Sequence, residues 1–293
     1  MGQNAAMPNL RDPLDGGQLG ELAGPSWRLR TVGETGSTNA DVLALAQAGE
    51  AAGLVLVAEL QHAGRGRLDR GWQSPPGAGL TFSLLLRPRP DRPRWGWLPL
   101  LAGLALARAV GDQARLKWPN DLLVMPSGGK AAGILVQSAS ETAAMLAGSQ
   151  AGRPAAVVGI GVNVSTRRDE LPVPTATSLD LEGVELARRH SGRQELLLTF
   201  LDQFRLVYTT WEEAGGDAER SGVAEDYRAR SATVNTLVRA ELPGETIEGT
   251  ATGIDSDGRL LIGVSGSGRS GDSAGSIRAI GAGDITHLRA PSR

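Results

Sequence analysis

Leu54-Val55-Leu56-Val57-Ala58-Glu59-Leu60 runs almost directly into Gly64-Arg65-Gly66-Arg67-Leu68-Asp69-Arg70-Gly71-Trp72. The first segment is short and apolar, the pattern of a buried strand. The second places three guanidinium groups within six residues, interleaved with glycines. Glycine lets the backbone approach a ligand closely, and successive N–H groups in such a loop form an anion-binding concavity. Arginine adds a planar, permanently charged fork that matches phosphate and carboxylate oxygens. Trp72 puts a flat apolar face beside that charge. A buried strand that delivers this loop predicts a sheet-based protein whose ligand carries a phosphate and an apolar or aromatic portion.

Outward from that stretch, the pattern alternates between strand and helix. Ser37-Thr38-Asn39 follows a glycine and precedes the apolar run from Ala40 to Ala46, as an N-cap opening a short helix does. Leu80–Leu86 reads as the next strand, and Pro88, Pro90 and Pro93 enforce a connection. Leu98–Val110 has helical spacing. Leu116–Val124 is strand-like and broken by Pro119, and Ala131–Gln137 and Ala156–Val164 are further strands around an Ala/Gly/Ser-rich loop. Glu195–Trp211 carries a helical apolar stripe. After about Tyr227 the character changes to short β segments, Ala232–Leu237, Thr246–Ile254, Arg259–Val264 and Ser276–Ile280, punctuated by Pro243-Gly244 and Asp257-Gly258. Gly263–Gly275 is Gly/Ser-rich and reads as a mobile hairpin tip. The chain thus divides into a loose leader (1–26), a mixed α/β or α+β domain (27–227) and a small all-β domain (228–293).

Composition narrows the function. The chain has 293 residues, a formal net charge of −2 and no cysteine. A disulfide framework, a thiolate nucleophile and a Cys-based zinc site are excluded. His62, His190 and His287 lack metal-ligand spacing, so no protein-held metal is expected. A strongly basic nucleic-acid binder would carry a different charge balance. The N-terminus lacks the basic-then-apolar order of a signal peptide, and no apolar run reaches about 18 residues, so the expected location is cytoplasmic, without a membrane span.

Taken alone, an arginine-rich loop is ordinarily solvated surface, and a lysine at a strand end is ordinarily surface charge. Further segments change that weighing. Gln61 ends the strand before the loop. Lys117-Trp118-Pro119-Asn120-Asp121 joins a cation, an indole, a rigid turn and a carboxylate. Gly128-Gly129-Lys130-Ala131-Ala132-Gly133 sets one lysine at the mouth of a strand without forming a P-loop, whose G-x-x-x-x-G-K-[ST] spacing is absent. Gly159-Ile160-Gly161-Val162-Asn163 places small residues and an amide in an apolar strand.

In this order the segments resemble the biotin protein ligases, whose pattern is Ser-Thr-Asn, Gly-Arg-Gly-Arg-x-Gly-Arg-x-Trp, Lys-Trp-Pro-Asn-Asp, Gly-Lys-x-x-Gly-Ile-Leu and Gly-x-Asn. The resemblance spans roughly residues 27 to 290. Asp69 departs from it, replacing a glycine; its carboxylate has Arg67 and Arg70 as candidate partners. The resemblance implies an α+β fold: a central mixed β-sheet flanked by helices, like a class II synthetase, plus a C-terminal β-barrel of the Src-homology-3 type. It implies formation of biotinyl-5′-AMP from biotin and ATP with Mg²⁺ on the phosphates, then transfer to a lysine of the biotin carboxyl carrier domain of acyl-CoA or pyruvate carboxylases.

By the same resemblance Lys130, Arg67 and Asp121 are catalytic. Ser37, Thr38, Asn39, Gln61, Arg65, Gly66, Arg67, Lys130 and Gly133 bind biotin. Arg65, Arg67, Arg70, Trp72, Lys117, Asn120, Lys130 and Asn163 bind the adenylate. The arginine loop is expected to order over that intermediate. Family members dimerise through the central sheet, so a homodimer through it is expected. The leader is too short for the DNA-binding domain that many members carry, so the form expected is monofunctional, without nucleic acid as a partner. A lipoate or octanoate ligase is the alternative, but its Arg-Arg-x-x-Gly-Gly-Gly stretch is missing.

Overall fold

The structure, a computed structural model, describes residues 11–139, 153–264, 276–281 and 283–288, with Asp69 described by its backbone alone. The loop around 140–152 and nearly all of the expected hairpin tip at 263–275 lie outside the described residues.

The chain departs from expectation at once. Residues 11–26, read as a loose leader, include a helix, α1 (Gly16–Leu22), capped by the Asp15 carboxylate and anchored by the fully buried Leu19. Arg11 is ion-paired to Glu170 at 2.6 Å, and Arg193 pairs with Glu59, whose other oxygen accepts the amide of Leu14 at 2.7 Å. These contacts come from residues more than 40 positions away, so no local pattern announced them.

Seven strands form the main sheet in the order β1-β2-β3-β7-β6-β5-β4. β1 (Arg28–Thr35) and β2 (Leu54–Gln61) are parallel; β3 (Gly79–Leu86), β4 (Ala114–Lys117), β5 (Asp121–Val124), β6 (Gly129–Ser138) and β7 (Ala156–Asn163) add antiparallel neighbours. β1 has no strand signal in the sequence, because it is an edge strand with mostly exposed residues, Arg28, Arg30 and Glu34 among its eight. The segment read as one strand broken by Pro119 is the β4–β5 hairpin, with Trp118-Pro119-Asn120 as its turn.

Side-chain alternation along the strands sorts helices to the two faces. Leu54, Leu56, Leu85 and Val157 pack with Val42 and Ala46 of α2 (Thr38–Gln47). Val55, Val57, Phe82, Leu84 and Val158 join the core formed with α3 (Leu98–Val110) and α4 (Gly192–Glu213). Ser83, Gly159 and Gly161 share the parity of Leu85 and Val157, so they open onto the α2 face. That is the face the site uses.

After α5 (Val223–Arg230) the chain runs beside β4, with the Ala232 amide donating to Leu116 O at 2.8 Å. The segment expected as a strand from Ala232 reaches the second sheet only at Asn235, whose amide donates to Ala251 O at 2.7 Å, and its strand begins at Leu237. That sheet holds β8 (Leu237–Leu242), β9 (Glu245–Ile254), β10 (Leu260–Val264), β11 (Ser276–Ile280) and β12 (Asp284–His287), all antiparallel in the order β11-β10-β9-β8-β12. The fold is α+β, a large mixed sheet followed by a small antiparallel one. Val238, Ile247, Ile262 and Ile285 of the small sheet belong to the same buried cluster as α3, so the two units share apolar contact.

Candidate active site

The polar end of the site begins at a helix cap. Ser37 caps α2, and next to it the amide and hydroxyl of Thr38 both donate to Gln61 Oε1, at 2.7 and 3.0 Å. Below them, Ser83 Oγ lies 2.7 Å from Thr38 Oγ1 and 2.6 Å from Asn39 Oδ1; its single proton serves one of the two. Asn39 donates to Gln137 Oε1 (2.8 Å) and Leu135 O (3.3 Å). A network this complete, buried in low dielectric, holds its members rigidly. A Cβ at Gly159 would stand 2.1 Å from Asn39 Oδ1, so the close approach of α2 to the sheet requires glycine there. Ser83 was missed from sequence although the signal was present: a hydroxyl at a core position of an apolar strand.

The charged end is carried by the arginine loop, β6 and the β4–β5 turn. The loop is closed by a bridge between Arg65 and Gly71 and by Gly66 N donating to Arg70 O at 2.7 Å. Trp72 then lies on the sheet: a Cβ at Gly161 would be 2.3 Å from its indole, and one at Gly133 would be 3.4 Å from both the indole and Lys130 Nζ. Lys130 Nζ is 2.6 Å from Asp121 Oδ1, an ion contact without hydrogen-bond alignment. Arg67 reaches Asn120 Oδ1 (3.3 Å) and Gly283 O (3.4 Å). Burial pushes its guanidinium below the ordinary value, with Asp121 and Asp284 pulling the other way. Asn120 in turn donates to Ile134 O at 3.0 Å.

Arg70 pairs with Asp284 of β12, which holds it above its ordinary value. The pairing of Asp69 with Arg67 or Arg70 concerns a side chain outside those described. Asn163 donates to Thr177 O at 3.0 Å. Arg65 and Lys117 have no ion pair among the described residues, and Arg65 is exposed.

Every residue given a catalytic or binding role from sequence lines one cavity of about 1020 Å³ between the main sheet and β12. The structure adds two walls. One is the segment holding Pro172, Val173 and Thr175, bound to β6 through Lys130 N to Thr175 O and Thr177 N to Lys130 O, both 2.9 Å. The other is Asp284 to His287 of β12, a strand too short to be read from periodicity. Among the described residues no group of three or more His, Cys, Asp or Glu side chains is placed to hold a metal, and no helix is long and apolar enough to cross a membrane.

Comparison with known proteins defines the class. Residues 33–149 match the Biotin/lipoate A/B protein ligase family, and residues 236–288 match the Biotin protein ligase C terminal domain. A biotin–[acetyl-CoA-carboxylase] ligase of Mycobacterium tuberculosis is 38% identical over 96% of this chain and 98% of its own length. One from Paracoccus denitrificans is 33% identical over 78% of this chain and 91% of its own. The solved biotin protein ligase of Aquifex aeolicus in complex with biotin and ATP superposes with a TM-score of 0.64 at 26% identity, covering 89% of this chain and 99% of that one. The chain belongs to the biotin protein ligase family. The match at residues 236–288 disfavours the lipoate alternative, since the domain matched is that of biotin ligases.

Proposed function

We propose that this cavity activates biotin with ATP and passes it to a carrier lysine, with the two ends of the cavity dividing the work. The observation that carries the reading is that Lys130, Arg67 and Arg70 line the same cavity as the closed Thr38–Gln61 network. A carboxylate must meet a polyphosphate, and two unit charges about 4 Å apart repel by about 4 kcal/mol at intermediate dielectric. Fixed cations offset that repulsion and stabilise the charge that builds at phosphorus.

In this reading the ureido head of biotin faces Ser37, Thr38 and Gln61, and its bicycle lies on the glycine-lined sheet beside Trp72 and Gly133. Asn39 positions rather than contacts, because Ser83, Gln137 and Leu135 already take up its amide. Lys130, freed from Asp121, meets the carboxylate and α-phosphate, and Arg65, Gly66 and Arg67 close over them. A biotin carboxylate oxygen bonds to the α-phosphorus, the bond to the β-phosphate oxygen breaks, and pyrophosphate leaves. The carrier lysine's amine then bonds to the acyl carbon, the bond to the phosphate oxygen breaks, the amine loses a proton and AMP leaves. Asp121 is the carboxylate nearest Lys130 to accept that proton. Lys117, Arg70, Asn120 and Asn163 hold the adenylate.

Magnesium fits as a passenger of the nucleotide. The cavity carries more cations than carboxylates, and Asp121 and Asp284 are its carboxylates among the described residues. Bound there it would neutralise phosphate charge. The small sheet reads as a Src-homology-3-type barrel and the main sheet as class II synthetase-like, with a division near residue 227 that leaves 27–227 catalytic. A cytoplasmic enzyme acting on the biotin carboxyl carrier domain of acyl-CoA or pyruvate carboxylases, as a homodimer through its main sheet, completes the proposal. Mass spectrometry of such a carrier domain after incubation with the protein, biotin and MgATP should show one added biotinyl group; no added mass sinks the reading.

A further inference from the structure

The last strand of the small sheet reaches the main sheet through a side chain that the reaction does not use. Trp118 N donates to Thr233 Oγ1 at 3.0 Å, and His287 Nε2 lies 3.0 Å from the same oxygen. Thr233 is fully buried. Its one proton therefore needs an acceptor, because the oxygen already receives the Trp118 amide. The His287 ring supplies that acceptor when Nε2 is unprotonated, and burial, aided by Lys117, holds the imidazole below its ordinary value. The bonds run in one direction: Trp118 N–H to Thr233 O–H to His287 Nε2.

Trp118 opens the turn between Lys117, which ends β4, and Asp121, which starts the return strand, and Asn120 closes that turn; Lys117 and Asp121 are cross-strand partners. Lys117, Asn120, Asp121 and His287 all line the cavity. The indole of Trp118 is fixed from the same side, donating to Gly258 O at 3.0 Å. Both hydrogen bonds that Trp118 donates thus end on the C-terminal part of the chain.

We propose that His287 and Thr233 are positioning residues for the nucleotide end of the site, setting Lys117 and Asn120 through the backbone of Trp118. This rests on the reading of that end as the nucleotide subsite. His287 is hydrogen-bonded to the nucleotide end through Thr233 and Trp118, so its removal should weaken ATP and leave biotin alone.

The test is steady-state biotin-dependent exchange of pyrophosphate into ATP by the full chain. His287→Phe keeps the ring and removes the acceptor; His287→Gln restores an acceptor; Thr233→Val removes the hydroxyl at similar volume. His287→Phe and Thr233→Val should each raise KM for ATP about 5- to 30-fold, with KM for biotin unchanged, and the double variant should be no worse than the poorer single one. His287→Gln should recover most of the loss. An unchanged KM for ATP, an equal rise for both substrates, or His287→Gln no better than His287→Phe overturns the proposal. Should His287→Phe fail to fold, the comparison of Thr233→Val with His287→Gln decides it by the same criteria. Lys117→Ala reads the subsite separately: an unchanged KM for ATP there defeats the nucleotide assignment, whereas a raised KM beside an unaffected His287→Phe defeats only the positioning role.

Discussion

Lys130 is held by Asp121, and Arg67 is held by Asn120 and Gly283. Two cations aimed by neighbours lose less freedom on meeting an anion than two free side chains would. Their contribution should accordingly be catalytic rather than structural. Lys130→Ala and Arg67→Ala are each expected to slow biotin-dependent pyrophosphate release by about 10²–10³-fold, the usual loss for one preorganised donor, with melting temperatures close to wild type. Near-native rates in both variants would remove them from the chemistry. At this scale the sequence was informative about residue types and silent about partners. Three arginines in a row of glycines announced an anion site, but nothing local said that Arg70 would be taken by Asp284, 214 residues away.

Among the elements, the N-terminal segment is held by the Arg11–Glu170 ion pair as well as by the buried Leu19. The Arg11 guanidinium, hydrogen-bonded to Glu170, holds that carboxyl down to about 2 from its usual 4.5. Glu170 is thus deprotonated more readily in the folded chain than in the unfolded one. Its contribution to stability is fully present above pH 4.5 and is lost as pH falls toward 2. Melting curves of wild type and Glu170→Gln should differ at pH 6 and converge as pH approaches 2.5. A constant gap across that range would mean that the pair does not hold the segment. Elements with a clear apolar period, such as α3, α4, β2 and β7, were readable in the sequence. α1, β1 and β12 were not, because short or solvent-facing elements owe their existence to what they pack against rather than to a pattern of their own.

Over the whole molecule, the small sheet closes the cavity. Its β9–β10 turn abuts the chain before α3: Trp97 Nε1 donates to Asp255 O at 3.1 Å, and Gly258 sits at φ +80° with a Cβ position only 2.5 Å from the Gly96 carbonyl carbon. A side chain at Gly258 is both strained and obstructed. Gly258→Ala should cost about 1–3 kcal/mol of stability, lower the melting temperature and raise KM for ATP, since Asp284 and His287 line the site from the same sheet. A lower melting temperature with KM for ATP unchanged would separate docking of the small sheet from nucleotide binding.

The sequence by itself determined the chemistry on offer and the main strands and helices around it. Short motifs keep their residue types together in the chain, and apolar periodicity is a local property. Only the tertiary structure decided which cations remain available and which are held, because ion pairs such as Arg70–Asp284 and relays such as Trp118–Thr233–His287 join residues whose distance along the chain carries no information about their distance in space.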